Sequence, residues 1–350
     1  MPAPSSSPSN RPPSRRLIAL IPALAGMTAI GLVACGGGGS SDGVPGTGTT
    51  PAAVKLDAAN YKAASSTVVD AGFGLADLDA DAALDANAKA SSAMRAAMKS
   101  FDSLRRAASK PGPNGAIGAT TDSTTNCSGG GTVRIETSIS RPAASSAGDR
   151  VAITYDNCID VFARTETDGK VEFLLTYAGL GDYFRDPAYD VRLTYTFTQM
   201  RTVDTEGTSI VDGSFQLESV RSAVRTGYDS FSAPRFESSF TPLGGTRSWS
   251  TLNSFVARND YTTSTTTTTL DGTVSGSDGL NEGSVVVDTT TPFVRAIGRF
   301  PHVGVLTATG DQGTKVEVRA IDDTTVRLSL DSNGDGAWDA VTDVAWTSIW

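Results

Sequence analysis

Towards the C-terminal end of the chain, Asp331-Ser332-Asn333-Gly334-Asp335-Gly336-Ala337-Trp338-Asp339 sets side-chain oxygens at relative positions 1, 3, 5 and 9, with glycine at position 6. Hard oxygen donors on a tight turn are what Ca2+ takes, and the backbone carbonyl of Ala337 would serve position 7. The candidate metal ligands are therefore Asp331, Asn333, Asp335, Ala337 and Asp339, with Ca2+ as the possible cofactor. Two features count against the full loop. Position 12 is Thr342, with Asp343 next to it, and residues 326–330 alternate as a strand does rather than a helix. Without a carboxylate at position 12 the expected affinity is millimolar. The competing reading is a polar hairpin turn between Leu330 and Val341.

Other chemistry is sparse. His302 is the single histidine, which leaves too few donors for a zinc site. The chain has no G-x-S-x-G elbow and no phosphate-cradling G-x-x-x-x-G-K-[ST] motif, and Gly72-Phe73-Gly74 lacks the third glycine of a dinucleotide fingerprint. Paired acids for glycoside hydrolysis are open among 38 carboxylates, because their separation is a property of the fold. No catalytic residue is assigned. Trp338, Trp346 and Trp350 cluster with Val341, Val344 and Ile349. They read as a final strand or short helix closing the core, or as an aromatic surface for a glycan or protein.

Elements that would position these residues follow a leader. Arg11, Arg15 and Arg16 precede an apolar run over residues 17–34 that ends in Leu32-Val33-Ala34-Cys35. The run has 18 residues, long enough for a transmembrane helix. It carries Pro22 and Gly26, however, and stops at a cysteine followed by Gly36-Gly37-Gly38-Gly39-Ser40-Ser41. The tetrapeptide resembles the lipobox of bacterial lipoproteins. That resemblance implies a signal peptide over 1–34, diacylation of the Cys35 sulfur, and anchoring in a bilayer through the acyl chains. Gly36 after the cysteine implies the outer membrane of a bacterial envelope, with the body in the periplasm or at the cell surface. Ser14-Arg15-Arg16 also resembles a twin-arginine export signal, although the residues after it match poorly. With Cys35 lipidated, Cys127 and Cys158 remain as an even pair in an oxidising compartment, expected as a disulfide rather than two buried thiols. Losing Arg11, Arg15 and Arg16 with the leader takes the net charge from −9 to −12. So acidic a body repels phosphate backbones and excludes nucleic acid as a partner.

Residues 35–53 read as the lipidated cysteine and a flexible Gly/Ser/Thr tether. Residues 54–110 read as helical. Tyr61, Val68 and Leu75 recur at seven-residue spacing behind Asp57 as N-cap, and Gly72 and Gly74 are expected to break or end that helix. A second helix over about 81–108 carries Leu84, Met94, Met98, Phe101 and Leu104 as a packing stripe. Residues 110–115, Lys-Pro-Gly-Pro-Asn-Gly, end it, and a loop runs on to Cys127.

Within residues 111–350 the period changes to two. Val133, Ile135, Thr137 and Ile139 alternate with polar residues, as do Val151, Ile153 and Tyr155, and Val191, Leu193, Tyr195 and Phe197. Further strand-like runs are 262–270, 285–287, 315–321 and 326–330. Antiparallel strands wet on one face are expected, because helical crossovers are missing. A D-G-x-[VF] core recurs at Asp168-Gly169, Asp212-Gly213 and Asp271-Gly272, reading as hairpin turns or as bulges that curve a sheet. The fold class expected is mainly β (α+β): one large curved antiparallel sheet of about ten strands with two N-terminal helices packed on it.

Asn60, Cys127-Ser128-Gly129-Gly130-Gly131, Asn157-Cys158 and the loop at 331–339 together resemble a recurrent group of β-rich proteobacterial envelope lipoproteins, to which no activity is attached. The function expected is a non-enzymatic binding or structural role at the envelope, its partner an envelope protein, glycan or lipid. One alternative is a carrier holding a lipid or other hydrophobic ligand in the concavity of the sheet. The other is a periplasmic hydrolase.

Overall fold

Among the described residues there are fourteen strands, most of them alternating apolar with Thr and charged residues: β1 Ala119–Asn126, β2 Gly130–Ile139, β3 Arg150–Asp160, β4 Thr165–Ala178, β5 Tyr189–Val203, β6 Gly207–Ala223, β7 Thr226–Pro242, β8 Ser248–Tyr261, β9 Thr265–Gly276, β10 Gly283–Ala296, β11 Val303–Thr309, β12 Lys315–Ala320, β13 Thr325–Asp331 and β14 Ala340–Ala345. They form one open sheet in strict sequence order, every neighbour antiparallel. The computed structural model describes residues 50–76, 119–140, 146–181, 186, 188–223 and 226–350, and Thr49–Trp350 is one compact unit. The leader, Cys35, most of the tether and the helix expected over 81–108 lie outside the described residues.

The mainly-β expectation holds, with more strands than the ten expected. The stretch expected as a loop before Cys127 is in part the edge strand β1, Ala-Thr-Thr-Asp-Ser-Thr-Thr-Asn. It has no apolar period to read, and its ladder to β2 holds it in register from Ala119↔Ile139 to Asn126↔Thr132.

Helix α1, Tyr61–Ala76, runs through Gly72 and Gly74, where a break or an end was expected, and ends two residues after Gly74. At Gly72 a Cβ would lie 2.6 Å from Leu270 Cδ1, so the glycine lets the helix approach the sheet more closely than any larger residue allows. Packing outweighs the propensity cost of about 1 kcal/mol. Asp57 caps the first turn as expected. Its Oδ1 accepts from the N–H of Ala59 (2.8 Å) and Asn60 (3.1 Å), while Asn60 Oδ1 accepts from the Asp57 N–H (2.9 Å), a reciprocal box. Helix α1 packs on β7, β8 and β9 and also on β12 and β13. Strands that far apart in the sheet order meet one helix only if the sheet curls round it.

The D-G pairs make that curl. None of the three sits in a turn: Gly169 lies within β4, Gly213 within β6 and Gly272 within β9, with φ of +103°, +107° and +136°. Opposite them, left-handed residues interrupt the neighbouring strands, Asn157 on β3, Gln199 on β5 and Ser254 on β8. The ladders change register at the same places, between Tyr155 and Cys158, Phe197 and Met200, and Asn253 and Val256. The Asp212 carboxylate accepts from the Gln199 N–H (2.9 Å), and Asp271 Oδ1 accepts from the Thr289 N–H on β10 (3.2 Å). A line of bulges therefore crosses the sheet from β3 to β10 and bends each strand in turn. The extra residue also resets the alternation. Phe197 and Met200 are both buried although three positions apart.

The concave face carries the core. Phe173, Tyr195, Phe215, Phe197, Phe231 and Phe236 run as touching rings over β4–β7, with Tyr195 stacked on Phe215 at 4.7 Å. Over β10–β14, Phe73 of α1 meets Phe293 (5.3 Å) and Trp350 (4.3 Å). Trp346 is fully buried there, its indole N–H donating to the carbonyls of Pro301 and Asp322. Of the three C-terminal tryptophans, Trp346 and Trp350 close the core and Trp338 stays exposed. The outer face is laced by cross-strand ion pairs such as Arg327–Asp343 and Arg150–Glu172.

Candidate functional site

In an up-and-down sheet, alternate hairpins must fall on the same end of the strands. The turns at 127–129, 161–164, 204–206, 243–247, 277–282, 310–314 and 332–339 thus share one rim. The chain reaches the sheet at this rim. Ala53 makes a parallel bridge with Ser284, Val54 N–H donates to the Ser284 carbonyl (2.9 Å), and Asp311 N–H donates to the Val54 carbonyl (2.8 Å). The tether expected to run to residue 53 is already held at Pro51 and Ala52, whose carbonyls accept from the hydroxyl and N–H of Ser284.

Cys127 and Cys158 are bonded, their Cα atoms 5.4 Å apart, and staple the first turn of the rim to β3. Closing a loop of that span (sequence separation 31) stabilises the fold by about 3–4 kcal/mol in the chain-entropy model. The staple braces the next turn. Gly129 N–H donates to the Ile159 carbonyl (2.8 Å), and Val161 N–H donates to Ser128 Oγ (3.1 Å). Asp160 Oδ1 accepts from the N–H groups of Phe162 (2.9 Å) and Ala163 (3.1 Å). Beside it lies an open groove of about 390 Å³ lined by Ile159, Val161, Arg164, Glu166, Val203 and Asp204.

The candidate calcium loop is the last turn of the same rim, a hairpin between β13 and β14. Asp331 is buried. Its two carboxylate oxygens accept from the N–H groups of Gly334 (2.7 Å) and Gly336 (2.9 Å). Asn333 Oδ1 accepts from Asp335 N–H and Asp335 Oδ1 from Ala337 N–H. Asp339 Oδ2 takes both the N–H and the hydroxyl of Ser332 (2.8 and 2.6 Å), and the hydroxyl's bond is the main reason its carboxyl lies below the usual aspartate range. Thr342, at position 12, points its hydroxyl at Tyr61 OH (3.1 Å), and Asp343 is engaged by both Nε and Nη2 of Arg327. Among the described residues no three His, Cys, Asp or Glu side chains are gathered where one ion would touch them. The loop closes through its own hydrogen bonds, the geometry of a polar hairpin turn.

The remaining candidates are dispersed. His302 is exposed in the turn after β10 on the opposite rim, its N–H bonded to the Val294 carbonyl. On the outer face Asp271 and Asp288 are neighbouring carboxylates, and burial, then the Asp288 hydrogen bond, push Asp271 above its ordinary range against the Thr289 N–H. At the far ends of β6–β8 the concave face turns polar. Asp229 is buried and accepts from Arg221 (2.7 Å), Ser219 (2.5 Å) and Tyr261 (3.0 Å), with Arg221 lying 4.2 Å over the Tyr261 ring. Sequence reasoning missed this cluster because its members lie on three strands. The one local signal is a polar residue at a core-facing position of each. Where α1 meets β9, a methyl group on Gly72 would press on the Leu270 side chain. No helix among the described residues is long and apolar enough to cross a membrane.

No family model, curated protein or solved structure matches this chain.

Proposed function

We propose that the chain is a lipid-anchored protein of a bacterial envelope, held through Cys35, whose curled sheet serves a non-enzymatic binding or structural role. The observation that carries this is the distribution of its cysteines. Three are present, Cys127 and Cys158 are joined to each other, and Cys35 alone follows an Arg-bearing apolar leader in the context Leu32-Val33-Ala34. A disulfide-braced body accords with an oxidising compartment. The ion-pair lattice of the outer face and the acidic balance accord with a well-solvated body whose attachment is covalent rather than electrostatic.

The test is fractionation of cells expressing the full chain against Cys35→Ser. The parent is expected in the membrane fraction, in the outer membrane if Gly36 directs sorting, and Cys35→Ser in the soluble or unprocessed pool. A Cys35→Ser protein that is cut after Ala34 and still partitions with membranes as the parent does would overturn the reading.

A further inference from the structure

The rim at which the chain reaches the sheet also carries its two most exposed large apolar side chains. Phe162 is 90% exposed at the tip of the turn after β3, next to Val161, and Leu243 is 71% exposed at the tip after β7. These tips are held out, not frayed. The Phe162 turn is closed by Asp160 and backed by the stapled 127–129 turn. Leu243 donates its N–H to the Glu206 carbonyl (3.1 Å), joining its turn to the one at 204–206, and Gly245 N–H closes the turn on the Pro242 carbonyl (3.0 Å). A fully exposed phenyl ring with an exposed valine beside it is an apolar tip that an apolar partner would bury.

From the exposed tips and the point at which the chain arrives, we infer that this rim faces the bilayer and that Phe162, Val161 and Leu243 dip into its surface. The inference rests on the anchoring reading above and adds an orientation to it. The chain outside the described residues decides the occupant. It leads from Pro51 on this same rim back through a Gly/Ser/Thr stretch to Cys35 and the apolar run before it. For a stretch of sixteen residues of that Gly/Ser/Thr composition the expected reach is about 20–25 Å. A lipid attached to Cys35 therefore keeps the bilayer near this rim. Arg164 and Arg247 share the rim's turns with Asp204, Glu206, Asp278, Glu282 and Asp311, so the rim is net acidic, the attraction is apolar and anionic lipid adds nothing to it. The opposite rim exposes Leu180, Ile297 and Ile321, which serve as controls.

The full lipidated protein gives a clean experiment, because Cys35 is acylated and Cys127 and Cys158 are joined. A new cysteine is then the one free thiol. Phe162→Cys, Leu243→Cys, Leu180→Cys and Ile297→Cys are each labelled with an environment-sensitive fluorophore. The labelled proteins are reconstituted into phosphatidylcholine vesicles with or without a spin label on the acyl chain. Probes at 162 and 243 are expected to lose most of their fluorescence to the spin label, and probes at 180 and 297 to keep theirs. The pattern is expected to be unchanged when phosphatidylglycerol is included. Protein that floats with vesicles while probes at 162 and 243 stay unquenched, or while all four are quenched alike, overturns the orientation and leaves the anchor standing. Unquenched tips would mean that they serve another protein or open water. Protein that fails to float overturns the anchor and the orientation together.

Discussion

Gly213→Ala puts the bulge line to a quantitative test. Gly213 lies in the middle of β6 at φ +107°, and a Cβ there would sit 2.6 Å from the Arg235 carbonyl oxygen on β7 and 3.1 Å from Phe236 Cα. Both are backbone atoms and cannot turn aside. Holding a non-glycine residue in that region costs about 1–3 kcal/mol. Relieving the overlap parts the β6–β7 ladder, and each hydrogen bond lost there costs about 1 kcal/mol more. The sum is about 3–5 kcal/mol. For a unit of this size, with a urea m-value near 3 kcal/mol per molar, the midpoint is expected to fall by about 1–1.7 M. The control is Gly244→Ala in the turn after β7. There φ is +71° and nothing lies within 4 Å of the new methyl, so the left-handed conformation alone costs about 1–2 kcal/mol. Urea unfolding followed by tryptophan fluorescence reads both, with Trp346 buried in the core as reporter. Equal losses in the two variants would show that the bulge geometry is not required and that the account of the curl is wrong.

Replacing Cys127 and Cys158 together by serine is expected to lower unfolding stability by about 3–4 kcal/mol, and the parent in reductant to match the variant; a parent indifferent to reductant would contradict the staple. Burial raises the Asp271 carboxyl, so the folded state holds that proton more tightly than the unfolded one, and the charged form opposes folding at neutral pH. Asp271→Asn keeps an acceptor for the Thr289 N–H and is expected to be the more stable protein at neutral pH, with the gap closing as acidification reaches about pH 4. Denaturant curves at several pH values would expose a constant gap, which the argument does not allow. The Asp331 carboxylate already accepts from the Gly334 and Gly336 N–H groups, and on the polar-turn reading melting midpoints in millimolar calcium and in chelator are expected to coincide. A calcium-dependent rise that Asp335→Ala abolishes would reinstate a metal loop.

Much of this fold could be read from local pattern, and what could not has a physical cause. β12 and the first nine residues of β5 alternate cleanly because one face meets the core and the other is less buried. β1 has no apolar face, and its edge position is set by a partner twenty residues away. In β5 the bulge at Gln199 displaces the alternation by one, so that a window crossing it sees no period. The D-G repeats were legible as turn or bulge, but choosing between them needs the opposing strand. Gly72 looked like a helix breaker because its purpose, contact with Leu270, lies almost two hundred residues on. The same holds for the rim. Nothing local to Phe162 or Leu243 shows that their hairpins share an end with Pro51; only the alternation of up and down strands does. Asp331 was read as a ligand from the spacing of its loop; that its oxygens also accept from the amides of Gly334 and Gly336 is a property of the folded turn.

The most direct test of the whole account is intact-mass and N-terminal peptide analysis of the protein isolated from bacterial membranes. The account requires a polypeptide whose first residue is Cys35, heavier than its sequence by a diacylglyceryl group, with Cys127 and Cys158 oxidised. A chain that begins at any other residue, or a Cys35 bearing no lipid, would contradict it.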